Sequence, residues 1–249
     1  MASVVKSLAS STALLLLAAC GGGERIEGMS LSLGITTART RSAPVPAGGR
    51  TLVTDAGAEA TLSGARFTLG SVELLPCEST GWRWQRLWDA LSPVGTAWAH
   101  TVSSATRLGT PHVITLRDRD GEVLPLGELR PAPGRYCRAR LTFEPADDDA
   151  VGLSDAQGSD MVGLSLHVSG TVAGADGATP FDVKTRGRSS VDVSLDGLEL
   201  SEDAPRATRV FTLAWDSWLD GLAPGGSPGN IDVLGNVARS ASLQTSAEP

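Results

Sequence analysis

Three histidines, His100, His112 and His167, are the side chains best suited to bind a transition metal in this 249-residue sequence. Copper or zinc needs two to four nitrogen, sulfur or oxygen ligands converging on one point. His100 and His112 flank a loop, and Met161 supplies a thioether soft enough for Cu(I), so these three form a candidate copper set. Their spacing matches no established metal motif. The acidic stretch Asp147-Asp148-Asp149, with Asp155 and Asp160, lacks the D-x-[DN]-x-[DN]-G pattern of a calcium loop and reads as a solvated acidic loop. Four of the six tryptophans fall between Trp82 and Trp98. Trp82 and Trp98 are candidates for stacking on sugar rings, whereas Trp84 and Trp88 have the helical spacing of core residues. Ser165 and His167 share one face of an extended chain, but the glycine that completes a nucleophile elbow is missing. G-x-S-x-G, H-E-x-x-H, P-loop and dinucleotide fingerprints are all absent, so a non-enzymatic protein is expected.

Those residues must be positioned by short strands. Met29 to Ile35 alternates strictly between polar and apolar positions, and Ala58 to Leu75 does so over a longer run in which Gly64 and Gly70 mark bends or bulges. Further strands are expected at 51–54, 112–117, 135–144, 161–173, 181–185, 190–200, 208–214 and 241–244, while 124–129 reads as irregular or a short strand. Asp118 to Gly121 and Pro131 to Gly134 read as turns. In 135–144 the alternation places Tyr136, Arg138, Arg140 and Thr142 on one face and Cys137, Ala139, Leu141 and Phe143 on the other. Helical spacing appears at Trp84-Leu87-Trp88-Leu91, at Trp215-Trp218-Leu219-Leu222, and at Ile231-Leu234-Val237-Ala238, the last with Asn230 as its N-cap. Many short strands with turn signals between them, and no repeated βα alternation, predict an all-β antiparallel sandwich, immunoglobulin-like or transthyretin-like, with two or three short helices. A net charge of −7, without a basic block, argues against nucleic acid as a partner.

The N-terminal segment carries a resemblance. Lys6 precedes the apolar run Ala13 to Ala19, which has the length of a signal-peptide core and is too short for a membrane span. Leu17-Ala18-Ala19-Cys20 follows, and this resembles the lipobox of bacterial lipoproteins. The resemblance implies cleavage before Cys20 and lipid attachment at that residue, with Gly21 in place of the aspartate that retains such proteins at the inner membrane. Residues 1–19 are then a cleaved signal peptide, 20–28 a flexible tether, and 29–249 a single β-sandwich domain facing the periplasm or cell surface from the outer membrane. With Cys20 assigned to lipid, Cys77 and Cys137 remain, and an exported pair is expected to form one disulfide. A metal-thiolate or redox pair is the alternative, for which the C-x-x-C and zinc spacings are missing.

A second, shorter resemblance lies in Ala132-Pro133-Gly134-Arg135-Tyr136-Cys137 through Leu141, and in Phe67 to Leu74. These strand starts are similar to those of MbnP-like periplasmic copper-binding proteins, and they imply copper as a possible cofactor without assigning ligands. The expected function is a lipid-anchored envelope protein that binds a partner or supports an assembly, with copper binding or glycan binding as alternatives.

Overall fold

Alternation in the first strand places Leu31, Leu33 and Ile35 on one side of an extended chain, and in the computed structural model that side is buried. The structure describes residues 29–41, 50–77, 103–116, 119–153 and 159–244. Two sheets pack together as an all-β sandwich. The first contains β1 (Ser30–Ala38), β6 (Leu124–Leu129), β11 (Arg206–Ala214) and β12 (Ala241–Leu243), in the order β12-β11-β1-β6. The second is built on β3 (Glu59–Pro76), with β7 (Gly134–Phe143), β8 (Leu166–Gly174), β9 (Gly177–Thr185) and β10 (Ser189–Leu200) in the order β10-β7-β3-β8-β9. The short strands β2 (Arg50–Val53), β4 (Arg107–Leu108) and β5 (His112–Thr115) also pair with β3.

β3 is long enough at 18 residues to serve five partners in turn. Its two internal glycines sit where the register steps. The β8 ladder shifts between Leu62 and Gly64, and the β7 ladder between Leu69 and Ser71. A Cβ at Gly70 would lie 2.3 Å from the Glu144 side chain, which lies over the glycine, so a larger residue there would have to displace that side chain.

One apolar cluster runs between the sheets. It joins Leu31, Leu33 and Ile35 to Phe67, Leu69, Leu141, Phe143, Leu166 and Phe211. The segment after β11 closes one end with Trp215, Trp218, Leu219 and Leu222, all buried. The seven-residue helix α1 (Val233–Arg239) adds Val233, Leu234, Val237 and Ala238 to the same core.

Several local expectations are corrected. The sandwich is mostly antiparallel, but β1 and β11 run parallel along the whole of β1. Trp215–Ser217 is a 3-10 turn rather than the start of an α-helix, although the four apolar residues do share the buried side. α1 is the one α-helix among the described residues, accompanied by 3-10 turns at Ser159–Met161, Trp215–Ser217 and Pro228–Asn230. Its cap is Asp232, whose Oδ1 accepts from the Gly235 amide at 2.9 Å, because Asn230 already lies in the preceding turn. Residues 161–165 do not belong to β8. Met161 ends a turn, and Gly163 takes a positive φ of 74° that breaks the extended run. Tyr136 departs from the expected alternation and is buried. Both ladders flanking β7 step over Cys137: Arg138 pairs with Leu75 and Ser194, whereas Tyr136 pairs with Pro76 and Leu198. The extra residue in this bulge turns Tyr136 inward, where its hydroxyl donates to the Ala132 carbonyl at 2.9 Å. The helix expected around Trp84 to Leu91 lies outside the described residues.

Candidate functional site

Cys77 and Cys137 are bonded to each other, with Cα atoms 4.8 Å apart. The link joins the end of β3 to the bulge in β7, and the Cys77 amide donates to the Arg135 carbonyl at 3.0 Å beside it. Cys20, Trp82, Trp98 and His100 lie outside the described residues. Of the proposed metal ligands, Met161 is fully buried in a small apolar cluster with Val113, Ala146 and Ala150. His112, at the start of β5, is bonded through Nδ1 to the Thr110 carbonyl at 2.8 Å. Burial pushes the His112 imidazole below the usual histidine range, with backbone carbonyl partners opposing the shift. Among the described residues, no group of three or more His, Cys, Asp or Glu side chains is arranged to hold a metal ion.

Ser165 and His167 do not meet as nucleophile and base. The Ser165 hydroxyl is buried and donates to the Gly187 carbonyl. His167 belongs to a charged cluster on the outer face of β3, β8 and β9, with Arg66, Asp160 and Asp182.

The densest polar construction closes one end of the sandwich, where the Trp215–Leu222 segment meets the chain leaving β1. Asp216, 1% exposed, accepts from the amides of Thr40 and Arg41 at 3.1 and 2.7 Å and from the Thr40 hydroxyl at 3.2 Å. Arg41 in turn makes a two-pronged contact with Asp220. Its guanidinium is held above the usual arginine range by that hydrogen bond, against the effect of burial. Beside this pair lies an open, polar depression of about 510 Å³ lined by Asp55, Ser217, Asp220, Asn236, Arg239 and Ser240. Its side chains are engaged within the protein. Asp55 accepts from the Gly221 amide at 2.6 Å, and Asn236 donates to the carbonyls of Trp218 and Asp220 at 3.1 and 2.8 Å. Arg239 donates to Asn236 at 2.5 Å, and Ser240 accepts from the Trp218 indole at 3.1 Å.

Next to the depression, the Trp215 indole donates to both oxygens of Asp120, at 3.0 and 3.1 Å. The guanidiniums of Arg39 and Arg50 lie over its ring, 5.4 and 5.2 Å from the centroid. Asp120 also accepts from the Arg39 amide at 2.8 Å and from the Arg50 side chain at 3.1 Å. Arg39 Nε and Arg50 Nη2 are buried without a hydrogen-bond partner, and the negative face of the indole provides the favourable contact that a guanidinium otherwise finds in an acceptor. A second, smaller recess of about 200 Å³, between the β8–β9 hairpin and Gly225 to Pro228, is lined largely by Val172, Ala173, Pro180 and Phe181.

The polar residues of this end escaped the sequence reading because they come from five separated segments. One signal was available: Asp216 and Asp220 interrupt the apolar run from Trp215 to Leu222. Carboxylates that close to core tryptophans need partners, and the partners are the chain leaving β1. Comparison with protein-family models, with curated proteins and with solved structures finds no match, so function rests on the residues themselves.

Proposed function

We propose that this chain is a lipid-anchored, non-catalytic protein of the bacterial cell envelope, held at the outer membrane through Cys20 and presenting the β-sandwich as a binding or structural module. The observation that carries the reading is the Cys77–Cys137 disulfide. It accounts for two of the three cysteines and leaves Cys20, the last residue of the lipobox-like Leu17-Ala18-Ala19-Cys20, as the third. Disulfides persist in oxidising compartments, which agrees with export. Several acyl chains on one residue hold a protein firmly, where a single chain is marginal. The polar groups at the closed end of the sandwich are engaged with one another, which favours support or recognition over bond-breaking chemistry. An acidic surface keeps such a module soluble above an anionic membrane.

Globomycin, which blocks lipoprotein signal cleavage, tests the reading directly. The precursor is expected to accumulate, and the mature protein is expected to take up labelled palmitate and fractionate with the outer membrane. Cys20→Ala is expected to abolish the label. Unchanged processing under globomycin, or palmitate incorporation that survives Cys20→Ala, overturns the proposal.

A further inference from the structure

The His167 ring lies between groups of opposite charge on three different elements. In the ladder it pairs with Arg66 of β3 on one side and Lys184 of β9 on the other. Its Nδ1 is 3.0 Å from Nη2 of Arg66 and 3.4 Å from Oδ2 of Asp160, and its Nε2 is 2.6 Å from Oδ1 of Asp182. The charged groups facing the ring are thus Arg66 from β3, Asp160 from the Ser159–Met161 turn, and Asp182 from β9. Lys184 stands 3.6 Å from the other oxygen of Asp182. Arg66 also grips Asp160 with both of its terminal nitrogens.

The chemistry of the donors fixes the proton. A guanidinium has only N–H donors, so Nδ1 of His167 must be the acceptor in the contact with Arg66. The single proton of the neutral ring is therefore on Nε2, where Asp182 accepts it. Adding a proton at Nδ1 sets two donors against each other at 3.0 Å, and the acceptor nearest to the new N–H is Asp160.

We propose that His167 exchanges partners on protonation: the neutral ring accepts from Arg66, and the charged ring releases Arg66 and donates to Asp160. The exchange reaches beyond the surface because Asp160 belongs to the turn that ends in Met161. The Met161 side chain is the buried plug among Val113, Ala146 and Ala150. The turn is tied down by the Gly163 amide donating to the Ala146 carbonyl at 2.7 Å and the Leu164 amide donating to the Met161 carbonyl at 2.8 Å. A shift in the Asp160 carboxylate is therefore felt along residues 160–164, and the device couples the charge of the His167 ring to the seating of this turn. It does not depend on the envelope assignment.

Ring-nitrogen NMR on the full-length Cys20→Ala protein tests it. The neutral His167 ring is expected to show a bare Nδ1 and a protonated Nε2. Acidification that charges the ring is expected to shift the amides of Asp160, Met161 and Gly163 in step with the ring nitrogens. His167→Gln removes that step, while His112→Gln, which alters the histidine on the strand beside Val113, leaves it in place. A neutral ring protonated on Nδ1 overturns the proposal. So do turn amides that stay still while the ring titrates, or a step that survives His167→Gln.

Discussion

The Trp218 indole stands edge-on to Phe67, ring centroids 5.8 Å apart and planes at 84°. The contact crosses the interior from the segment after β11 to the centre of β3, and neither side chain retains solvent exposure. Truncating Trp218 to alanine is expected to cost about 4 kcal/mol, the usual range for a buried aromatic. Trp218→Phe keeps a ring and is expected to cost less than half of that. Urea denaturation of the folded domain reads both, and equal losses would show that the indole's bond to Ser240, not its packing, is what matters.

Asp216 is expected to hold the chain leaving β1. Its carboxylate is buried, but its partners are the exposed Thr40 and the half-buried Arg41, so its removal leaves two amides and the Thr40 hydroxyl only partly open to water. Asp216→Ala is expected to destabilise by about 1 kcal/mol, and Asp216→Asn, which keeps one acceptor, by less. A denaturation midpoint unchanged by Asp216→Ala would show that solvent satisfies these donors.

The Cys77–Cys137 link closes a span of 60 residues, for which loop-closure entropy gives about 4 kcal/mol. Replacing both cysteines by serine is expected to lower the melting temperature without changing the strand content seen by circular dichroism, because β3 and β7 remain hydrogen-bonded on their own. Alkylation of the folded, unreduced protein is expected to leave both residues unlabelled.

The acid limb of stability has two contributors of opposite origin. Hydrogen bonding to Arg140 holds Asp192 below the usual carboxylate range, and hydrogen bonding to Arg66 does the same for Asp160. Their contribution is complete above about pH 4 and is lost as the pH falls through their depressed folded values. Both are surface groups, so the effect is small. Burial lowers His112, so the unfolded chain takes up that proton first, and stability declines as the pH drops from about 6.5. Denaturation from pH 8 to pH 3 is expected to show His112→Gln flattening the upper part of the curve and Asp192→Asn the lower part. A curve identical to wild type for either variant removes that contributor.

Gly170 is expected to resist substitution. A Cβ there would lie 2.1 Å from the Thr61 carbonyl oxygen and 2.9 Å from the Phe181 ring, so β3, β8 and β9 would have to separate. Gly170→Ala is expected to destabilise by about 3 kcal/mol or to prevent soluble expression. A melting temperature within error of wild type would show that the sheet yields locally.

Strand patterning was legible wherever one face of a strand is buried and the other is wet. The runs at Met29 and Ala58 show this, because period-two alternation reports burial directly. Tyr136 was misread because a bulge reverses alternation, and the bulge is set by how β7 meets two neighbours, not by its own residues. The parallel pairing of β1 with β11 is likewise a property of chain routing. Asn230 and Asp232 are both acceptable caps, and only the preceding turn decides between them. The polar clusters were the least visible. Arg66, Asp160, His167 and Asp182 become neighbours through the registers of β3, β8 and β9, while their spacing in sequence is unremarkable.

β1 is flanked along most of its length by β11 and β6, one parallel and the other antiparallel. The strand begins at Ser30, whose amide is fastened to the Pro205 carbonyl at 2.8 Å. Tension drawn through the N-terminal side of β1, along its axis, loads both ladders in shear, so that their hydrogen bonds must give way together. A strand at a sheet border, peeled sideways, would unzip one bond at a time. Placing the first strand in the interior of its sheet thus gives the fold a mechanically strong junction on its N-terminal side.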